Sequence, residues 1–327
     1  MEQSGRYENI LDCIGNTPLV RLNHITAGLQ AEVWAKLEFF NPMGSIKDRI
    51  ARYMIEKAER DGRLRGGELI IENSSGNTAL GLALVALQKG YRLKVVVRDR
   101  TSPEKIAQIQ SLGAEIHFVD ATLPPDHPDS YNQITPRLVK ETPGCFFPDQ
   151  HNNRENNEAH YHTTGPEIWR QMDGRIDILV VGMGTGGTLA GTARFLKEQD
   201  PRIHIIGVDV EGSVFTSFFR TGEPGTPHPY FTEGLGDEFI IGTADFSQVD
   251  EMIQVSDRDA FLTTRELVRR EGILGGGSSG AALWAVLAKA RTLHAPARIV
   301  TIFPDSACRY VSTIFNDTWM TEHGFLQ

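Results

Sequence analysis

The sequence lacks a long apolar segment, a secretory leader and any framework of paired cysteines. No run approaches the roughly 20 apolar residues that a membrane-spanning helix needs, and the start MEQSGRYENI has neither the basic nor the apolar part of a signal peptide. Cys13, Cys145 and Cys308 form no CxxC pair and no even set for disulfides. We therefore expect a cytoplasmic protein with reduced thiols and without a metal site.

An excess of positive charge is also missing. Lys and Arg number 33 against 42 Asp and Glu, which gives a net charge of -9, and the two signs are mixed along the chain. Such a surface cannot neutralise a phosphate backbone, so neither nucleic acid nor a membrane is an expected partner. The 327 residues, with 40% hydrophobic content, suffice to bury the cores of two α/β domains.

Apolar runs rich in branched residues alternate with amphipathic stretches. Strands are predicted at VWAKLEF, LIIE, LKVVV and EIHFV, separated by helices that begin near Ile46, Thr78 and Pro103. This alternation is typical of βαβ units in a parallel sheet. After a polar, proline-rich stretch, the strands DILVVG, IHIIGVD and RIVTIF indicate a second sheet and a second domain. The Gly- and Pro-rich segment TGEPGTPHPYFTEGLGDEF is interpreted as a functional loop.

The segment DILVVGMGTGGTLAG leads from a strand through a run of glycines into a helix. Glycine lets the backbone approach an anion, and N–H groups at a helix N-terminus then point at this anion. A phosphate group is therefore the expected ligand. The same letters satisfy G-x-G-x-x-G, and Asp209 closes the next strand where a dinucleotide enzyme places its ribose-binding acid. A glycine turn that only permits tight packing is a third interpretation.

Lys47, in KLEFFNPMGSIKDRIA, follows a strand and a Pro-Met-Gly-Ser turn and lies in the first turn of a predicted helix. A lysine amine becomes a useful imine former where burial or positive potential disfavours its charged form, and a helix N-terminus supplies part of that potential. A solvated lysine beside Asp48 and Arg49 is the alternative. Lys47 by itself does not decide between the two.

Two further loops at strand-to-helix junctions carry serines. IENSSGNTALGLAL places hydroxyl and N–H groups at a helix start, which suits a carboxylate, and its Asn77 side chain can donate to a phenolic oxygen. EGILGGGSSGAALWA leads through three glycines to Ser278 and Ser279. Each serine alone is interpreted as an ordinary helix cap. Four glycine or serine loops together with a lysine indicate a shared site.

The ordered motifs resemble those of the fold-type II pyridoxal-5'-phosphate (PLP) enzymes, the tryptophan synthase β-like group, and within it the cysteine synthase and cystathionine β-synthase family. The matching segments are IGNTPLVRL, NPMGSIKDR, SSGNTALGLA, AHYHTTGPEIW, GTGGT, EGLGDEF, EGILGGGSSGAA, FPDSACRY and NDTWM. The resemblance implies an α/β fold of two three-layer αβα domains with mostly parallel sheets and PLP in the cleft between them. Residues 1–45 and 150–327 would form the large phosphate-binding domain, and 46–149 the small mobile domain that carries Lys47.

The resemblance also implies roles for single residues. Lys47 would hold PLP as an imine and later carry the proton, which makes it the catalytic residue. Asn77 would bond the 3'-oxygen of the cofactor and Ser278 its ring nitrogen, with Asp305 in support. The cofactor phosphate would be bound by Gly184, Thr185, Gly186, Gly187 and Thr188. The substrate would be held by Ser74, Ser75, Gly76, Asn77, Thr78, Gln150 and Gly234.

A serine hydroxyl at the ring nitrogen bears on the type of reaction. It cannot stabilise a pyridinium as a carboxylate does, so the electron sink is weaker and α,β-elimination is favoured over transamination. The implied activity is β-replacement on serine or an O-activated serine through an aminoacrylate, to which a thiol or sulfide adds.

VDVEGS, EGLGDEF, GGGSSG, PDS and NDTWM resemble the cystathionine β-synthase core more than ordinary cysteine synthase, which implies condensation with homocysteine in a homodimer. The chain departs from the family pattern Thr-Ser-Gly-Asn-Thr-Gly, usually preceded by Pro, at Asn73, Ser74 and Ala79. An unusual donor or second substrate is therefore possible. From where the chain starts and ends, we expect neither a regulatory C-terminal domain pair nor a haem-binding extension.

Several alternatives stay open. Cysteine synthase would use O-acetylserine and sulfide, and a diaminopropionate-pathway synthase would join O-phosphoserine to an amino donor. An NAD-dependent oxidoreductase built on Gly182, Gly184, Gly187 and Asp209 would leave Lys47 unexplained, and an inactive relative that only binds a partner enzyme would not need it. His151, His160 and His162 lack the spacing of a helical metal site and are interpreted as surface or packing residues.

Overall fold

The computed structural model describes residues 5–124 and 126–326. Its strands are β1 (Leu19–Leu22), β2 (Ala31–Leu37), β3 (Leu69–Asn73), β4 (Arg92–Arg98), β5 (Glu115–Val119), β6 (Ile178–Gly182), β7 (His204–Val210), β8 (Glu251–Val255) and β9 (Ala297–Phe303). Its helices are α1 (Lys47–Arg60), α2 (Asn77–Lys89), α3 (Pro103–Ser111), α4 (Tyr131–Glu141), α5 (Glu155–His162), α6 (Thr164–Gln171), α7 (Gly187–Gln199), α8 (Phe215–Thr221), α9 (Asp257–Glu271), α10 (Gly277–Arg291) and α11 (Asp317–Glu322). None of these helices is both long and apolar enough to cross a membrane.

The chain divides into two compact units. Unit 1 comprises the described part of Met1–Ile14 together with Asn41–Glu155, and unit 2 comprises Gly15–Phe40 with the described part of Asn156–Gln327. The sequence-based bounds differ most at the N-terminus, where residues 5–14 lie in unit 1. They do so because Leu11 belongs to the apolar core of unit 1, and its carbonyl accepts a hydrogen bond from Arg52 Nη1 at 2.6 Å.

Unit 1 is built on a three-stranded parallel sheet in the order β3-β4-β5. The branched residues of these strands are buried, and α2 is apolar on nearly every side because it lies inside this unit. Helix α1 packs on α2, which places the start of α1 close to the first turns of α2. This arrangement brings two of the predicted loops into one region.

Unit 2 contains a six-stranded sheet in the order β1-β2-β9-β6-β7-β8. All neighbouring strands are parallel except β1 and β2, so the predicted α/β class with mostly parallel sheets is confirmed. The seven predicted strands are present, and two were missed. The missed strands are short and weakly patterned: β1 has one buried residue and β8 has two.

A buried ion pair links three segments that are distant in the sequence. The Lys36 side chain is fully buried, and its Nζ donates to Thr17 O at 2.7 Å, Glu167 Oε2 at 2.8 Å and Gln171 Oε1 at 2.9 Å. Thr17 Oγ1 in turn donates to the buried Glu38 at 2.6 Å. The segments IGNTPL, KLEF and TGPEIWRQ are thereby joined, since a buried charge must be paired and hydrogen-bonded.

Candidate active site

Lys47 is the first residue of α1, as predicted, and its surroundings are ordered by the preceding turn. Its N–H donates to Ser45 Oγ at 3.2 Å, and Asp48 Oδ2 accepts the N–H of Met43 at 2.7 Å. Asp48 is fully buried, so this lysine does not lie in a solvated charged run. A methyl group added to Gly81 of α2 would lie 3.1 Å from Lys47 O, which shows how closely α2 supports this point of α1.

The predicted carboxylate loop assembles in the same unit. Ser74 Oγ accepts the N–H of Ala79 at 3.3 Å and of Gly76 at 3.4 Å, which leaves the hydroxyl hydrogen of Ser74 available for donation. Thr78 Oγ1 donates to Gln150 Oε1 at 2.6 Å, so the structure brings Gln150 to the loop from 72 positions away. The Gln150 side chain is thereby held at this loop.

Three residues complete this loop. Ser75 lies near the Tyr131 side chain of α4, Gly76 is the N-cap of α2, and Asn77 is its first residue. The N-cap residue is a glycine, and Ser74 Oγ accepts the N–H of Ala79 in the first turn of α2, so Ser74 does part of the capping that the sequence offered as an alternative. The N-terminus of α2 therefore points its dipole toward whatever occupies the loop, and this favours an anion.

Glu72 was not singled out from the sequence, yet it lies directly behind this loop. It is fully buried at the end of β3, and its carboxylate accepts the N–H of Asn73 at 3.2 Å and approaches the backbone N–H groups of Asp149 and Gln150. Burial, with a further contribution from the charge of Asp149, raises the pKa of Glu72 to about 8. No motif signalled it, because its partners are backbone groups.

The glycine loop of unit 2 has the geometry of an anion site. Within the part of the chain that the structure describes, the backbone N–H groups of Gly184, Thr185, Gly186, Gly187 and Thr188 make no hydrogen bond. Gly186 has φ 82°, which an L side chain rarely adopts, and α7 begins at the next residue. Consecutive unpaired N–H groups at a helix N-terminus fit a phosphate.

A second segment lies against this loop and includes the predicted substrate residue Gly234. A methyl group on Gly184 would overlap Gly234 O, and Gly236 N–H donates to Met183 O at 2.8 Å. Thr243 Oγ1 donates to Thr185 O. The motif EGLGDEF is thus placed at the glycine loop, and glycine is needed at 184 because backbone approaches backbone there.

Asp305 contacts the loop that carries Ser278. Ser278 is 4% exposed, and its hydroxyl has no hydrogen-bond partner among the described residues; Gly276, not a serine, is the N-cap of α10. Asp305 supports this loop, since its backbone O accepts the N–H of Gly276 at 3.0 Å and its Oδ2 accepts Tyr310 OH at 2.7 Å. Burial, together with the charge of Asp305, raises the pKa of Tyr310 well above its usual value, so Tyr310 stays a donor.

Asp209 does not have the geometry that a dinucleotide site needs. It is fully buried, its Oδ1 accepts the N–H of Val210 at 2.9 Å, and its Oδ2 accepts both the N–H and the hydroxyl of Thr216 at 2.8 Å. These bonds hold the start of α8, and the complete burial of Asp209 keeps its carboxylate from a ribose. The oxidoreductase alternative is therefore wrong.

The histidines that the sequence analysis grouped together differ in burial. His162 is exposed, and no group of three His, Cys, Asp or Glu side chains in the described ranges could hold a metal ion. His160 is fully buried, and its Nε2 lies 3.2 Å from Thr188 Oγ1 of the glycine loop. Sequence reasoning grouped His160 with the others, because only the fold shows which face of α5 is buried.

The described residues of this α/β protein thus include a glycine loop whose N–H groups fit a phosphate, a buried serine hydroxyl, and a lysine near a helix start that favours an anion. This set of features is compatible with an enzyme that binds a phosphorylated cofactor. Residues 10–305 match the family of pyridoxal-phosphate dependent enzymes. The chain belongs to this family, and its cofactor is PLP. The free N–H groups of the glycine loop and the Ser278 hydroxyl fit the phosphate and ring nitrogen of that cofactor.

Individual relatives agree with this assignment. The chain is 44% identical over 321 residues to mouse cystathionine β-synthase, covering 98% of this chain and 57% of the mouse protein. It is 41% identical over 308 residues to cysteine synthase of Staphylococcus aureus, covering 94% and 96% of the two chains. The chain therefore spans a little under three fifths of the mouse relative that it matches.

Among solved structures, the crystal structure of a hydrogen sulfide-producing enzyme from Fusobacterium nucleatum superposes with a TM-score of 0.85 at 36% sequence identity. The match covers 93% of this chain and 100% of the other. Fold and sequence thus agree on the same family, which confirms the resemblance drawn from the motifs.

Proposed function

We propose that the protein catalyses a PLP-dependent β-replacement on serine or an O-activated serine and condenses it with homocysteine. The observation that carries the proposal is the similarity to cystathionine β-synthases along 98% of the chain, at 44% identity for the mouse protein and 42% for that of Apis mellifera. The segments VEGS and EGLGDEF, which favoured this subfamily in the sequence, contact each other through Asp237 N–H and Ser213 Oγ at 3.2 Å.

Each cluster of the candidate site has a part in this proposal. PLP, when bound, draws electrons from the substrate α-carbon and so permits loss of the α-proton and of the β-substituent. Lys47 Nζ attaches the cofactor and then moves the α-proton. The hydroxyls of Ser74 and Thr78, with Gln150, hold the substrate carboxylate at the positive end of α2.

Orientation of the cofactor ring is assigned to two further residues. Asn77 donates to the ring oxygen. The buried Ser278 hydroxyl bonds the ring nitrogen, and Asp305 and Tyr310 keep the loop that carries it in place. A neutral hydroxyl there limits the electron-withdrawing power of the ring, and this supports elimination and replacement over transamination.

A second candidate activity is that of cysteine synthase. It is favoured by the Staphylococcus aureus enzyme, which the chain matches over 96% of that enzyme's length. The two candidates share every residue discussed above and differ in the leaving group and the nucleophile. The exchange of the family's Thr for Ser74 bears on the donor, because a serine hydroxyl is less restricted at χ1.

Donor and acceptor specificity can be measured directly. The purified protein is titrated with L-serine, O-acetyl-L-serine and O-phospho-L-serine while its visible absorbance is recorded, and each responding donor is then mixed with homocysteine or sulfide. We expect a band shift with serine and formation of cystathionine, detected by mass spectrometry. A response to O-acetylserine and sulfide alone would favour cysteine synthase, and O-phosphoserine with an amine would favour the diaminopropionate alternative.

Lys47 is tested by substitution. We expect Lys47→Ala to lose the visible band of covalently bound cofactor and at least about 10³-fold of the turnover, since the attachment point and the proton carrier are removed together. Lys57→Ala is the matched control, because Lys57 lies on the same helix and pairs with Asp61 at the surface. Retention of the band in Lys47→Ala would contradict the assignment. A homodimer and a cytoplasmic location stay predictions.

A further inference from the structure

Helix α5 lies directly against the glycine loop and contacts both of its threonine hydroxyls. Asn156 Nδ2 donates to Thr185 Oγ1 at 3.0 Å, and His160 Nε2 lies 3.2 Å from Thr188 Oγ1. Asn156 and His160 are four residues apart, so they share one face of the helix. A methyl group on Gly187 would overlap the Asn156 side chain, so α5 and the glycine loop pack too closely for any larger residue at position 187.

The second nitrogen of His160 defines the protonation state of the ring. Nδ1 lies 2.9 Å from Thr164 Oγ1, and both residues are fully buried. The Thr164 hydroxyl has no other hydrogen-bond partner among the described residues, so its hydrogen has one available acceptor, His160 Nδ1. If Nδ1 carried a proton, the Thr164 hydrogen would be buried without an acceptor, at a cost that buried polar groups rarely bear.

A neutral ring that accepts at Nδ1 must carry its proton on Nε2. Nε2 then donates to Thr188 Oγ1, so the hydroxyl hydrogen of Thr188 points elsewhere. A hydroxyl that accepts one hydrogen bond becomes a better donor in the next, because the bonds polarise each other. The same reasoning applies to Thr185, which accepts from Asn156.

We propose that His160, as the Nε2–H tautomer, is a positioning residue that makes the Thr188 hydroxyl a dedicated donor to the cofactor phosphate. Asn156 supports Thr185 in the same way from one turn earlier on α5. The inference rests on the proposed role of the glycine loop as the phosphate site. It also explains the motif AHYHTTGPEIW, whose His160 and Thr164 form one chain of hydrogen bonds that ends at the loop.

The first test compares two cofactor forms that differ only in the phosphate. We expect His160→Leu to weaken binding of PLP to the apoprotein by about tenfold to a hundredfold, the loss expected for a hydrogen bond to a charged group. Binding of pyridoxal, which has no phosphate, should be unchanged. His160→Gln, whose amide can still donate toward Thr188, should recover most of the PLP affinity. His162→Leu, an exposed histidine on the same helix, is the matched control and should bind both forms as the wild type does.

Two outcomes separate this inference from the proposed function. If Thr188→Val leaves PLP affinity unchanged, the phosphate role of the loop fails. If Thr188→Val weakens PLP binding while His160→Leu does not, or if His160→Leu weakens pyridoxal equally, the positioning role alone is overturned.

A measurement on the unaltered protein decides the matter if the variants do not fold. Nitrogen-15 NMR of the histidine ring should show His160 neutral with the proton on Nε2. A proton on Nδ1, or on both nitrogens, would overturn the proposal. The phosphorus-31 signal of bound PLP provides a second readout, since it should shift in His160→Leu and return toward the wild-type position in His160→Gln.

Discussion

Single residues of this protein show different outcomes for an ionisable side chain that is buried. Lys36 is fully buried, and its three hydrogen-bond partners include the carboxylate of Glu167, which stabilises the charged form. Asp209 is also fully buried; burial raises its pKa, and hydrogen bonds from Thr216 and Val210 act in the opposite direction. Glu72 is equally buried but meets only backbone N–H groups and the unfavourable charge of Asp149. A carboxyl in such a place binds its proton more tightly than in water.

The raised pKa of Glu72 predicts a pH-dependent stability. Its pKa is about 8 in the folded protein against an ordinary value of 4.5, so between these two pH values the folded chain holds a proton that the unfolded chain has released. The free energy of unfolding therefore falls as the pH rises through this window, by at most about 1.4 kcal/mol per pH unit, and the effect is absent below pH 4.5 and constant above pH 8.

Glu72→Gln should remove this dependence because an amide does not titrate. We expect its melting temperature, measured relative to the wild type, to rise between pH 5.5 and pH 8. Glu115→Gln, whose side chain is 57% exposed on β5, is the control and should show no such trend. A difference between Glu72→Gln and wild type that is the same at both pH values would contradict the prediction.

At the scale of elements, close approach between helices and loops determines where the candidate site lies. In α10, a methyl group on Gly280 would overlap Thr264 Oγ1 and Ala260 O of α9. The same helix carries Ser278 two residues earlier. The last glycine of GGGSSG is therefore required for packing, and through packing it positions the serine.

Gly280→Ala should push α10 away from α9. Since the obstructing atoms include a backbone oxygen, we expect a loss of about 3 kcal/mol in the free energy of unfolding, at the upper end for overpacked sites, and weaker PLP binding. Gly225→Ala is the control, because its nearest contact would be the Ser217 side chain at 3.1 Å. Thermal melts and PLP titrations measure both effects. If Gly280→Ala is as stable as Gly225→Ala, the inference that Gly280 is required for the packing of α10 on α9 is contradicted.

Helix α5 shows why some elements could not be predicted. The sequence ENNEAHYH has no apolar stripe, and its buried side chains include Asn156, Asn157 and His160. These side chains face the glycine loop and Thr243 through hydrogen bonds instead of apolar contacts. A helix whose buried face is polar has no hydrophobic periodicity, so this pattern does not predict it.

At the scale of the whole molecule, each unit has its own apolar core, and each holds a share of the proposed cofactor contacts. All four tryptophans, Trp34, Trp169, Trp284 and Trp319, lie in unit 2. Tryptophan fluorescence therefore follows the unfolding of unit 2, whereas far-ultraviolet circular dichroism follows both units.

Removal of PLP should lower the unfolding temperature seen by both signals. Ligand that binds only the folded form at 100 times its dissociation constant adds about 2.7 kcal/mol to stability. Because the proposal assigns Lys47 to unit 1 and the phosphate loop to unit 2, we expect both transitions to shift on reconstitution. A shift of the fluorescence transition alone would show that unit 1 gains nothing from the cofactor, against the proposed role of Lys47.

Much of this protein could be predicted because its information is local in sequence. Seven strands, the start of α1 at Lys47 and the start of α7 after the glycines follow from patterns within ten to fifteen residues. The two missed strands lack such patterns, and α4 contains Pro136, which disfavours a helix prediction although Tyr131, Ile134 and Leu138 lie on one apolar face. Some of the site residues predicted by resemblance are in contact within one unit, such as Thr78 with Gln150 and Gly184 with Gly234, and their roles stay predictions.

The sequence by itself determined the fold class, the family and the cofactor, since strand periodicity and loop motifs are written in consecutive residues. Only the tertiary structure decided what Asp209, Glu72 and His160 do. Asp209 caps a helix, Glu72 is held by backbone N–H groups from a loop some 77 positions away, and His160 meets a hydroxyl 28 positions away. The charge and hydrogen-bonding role of a buried polar group are set by its neighbours in space, and those neighbours are distant in the chain.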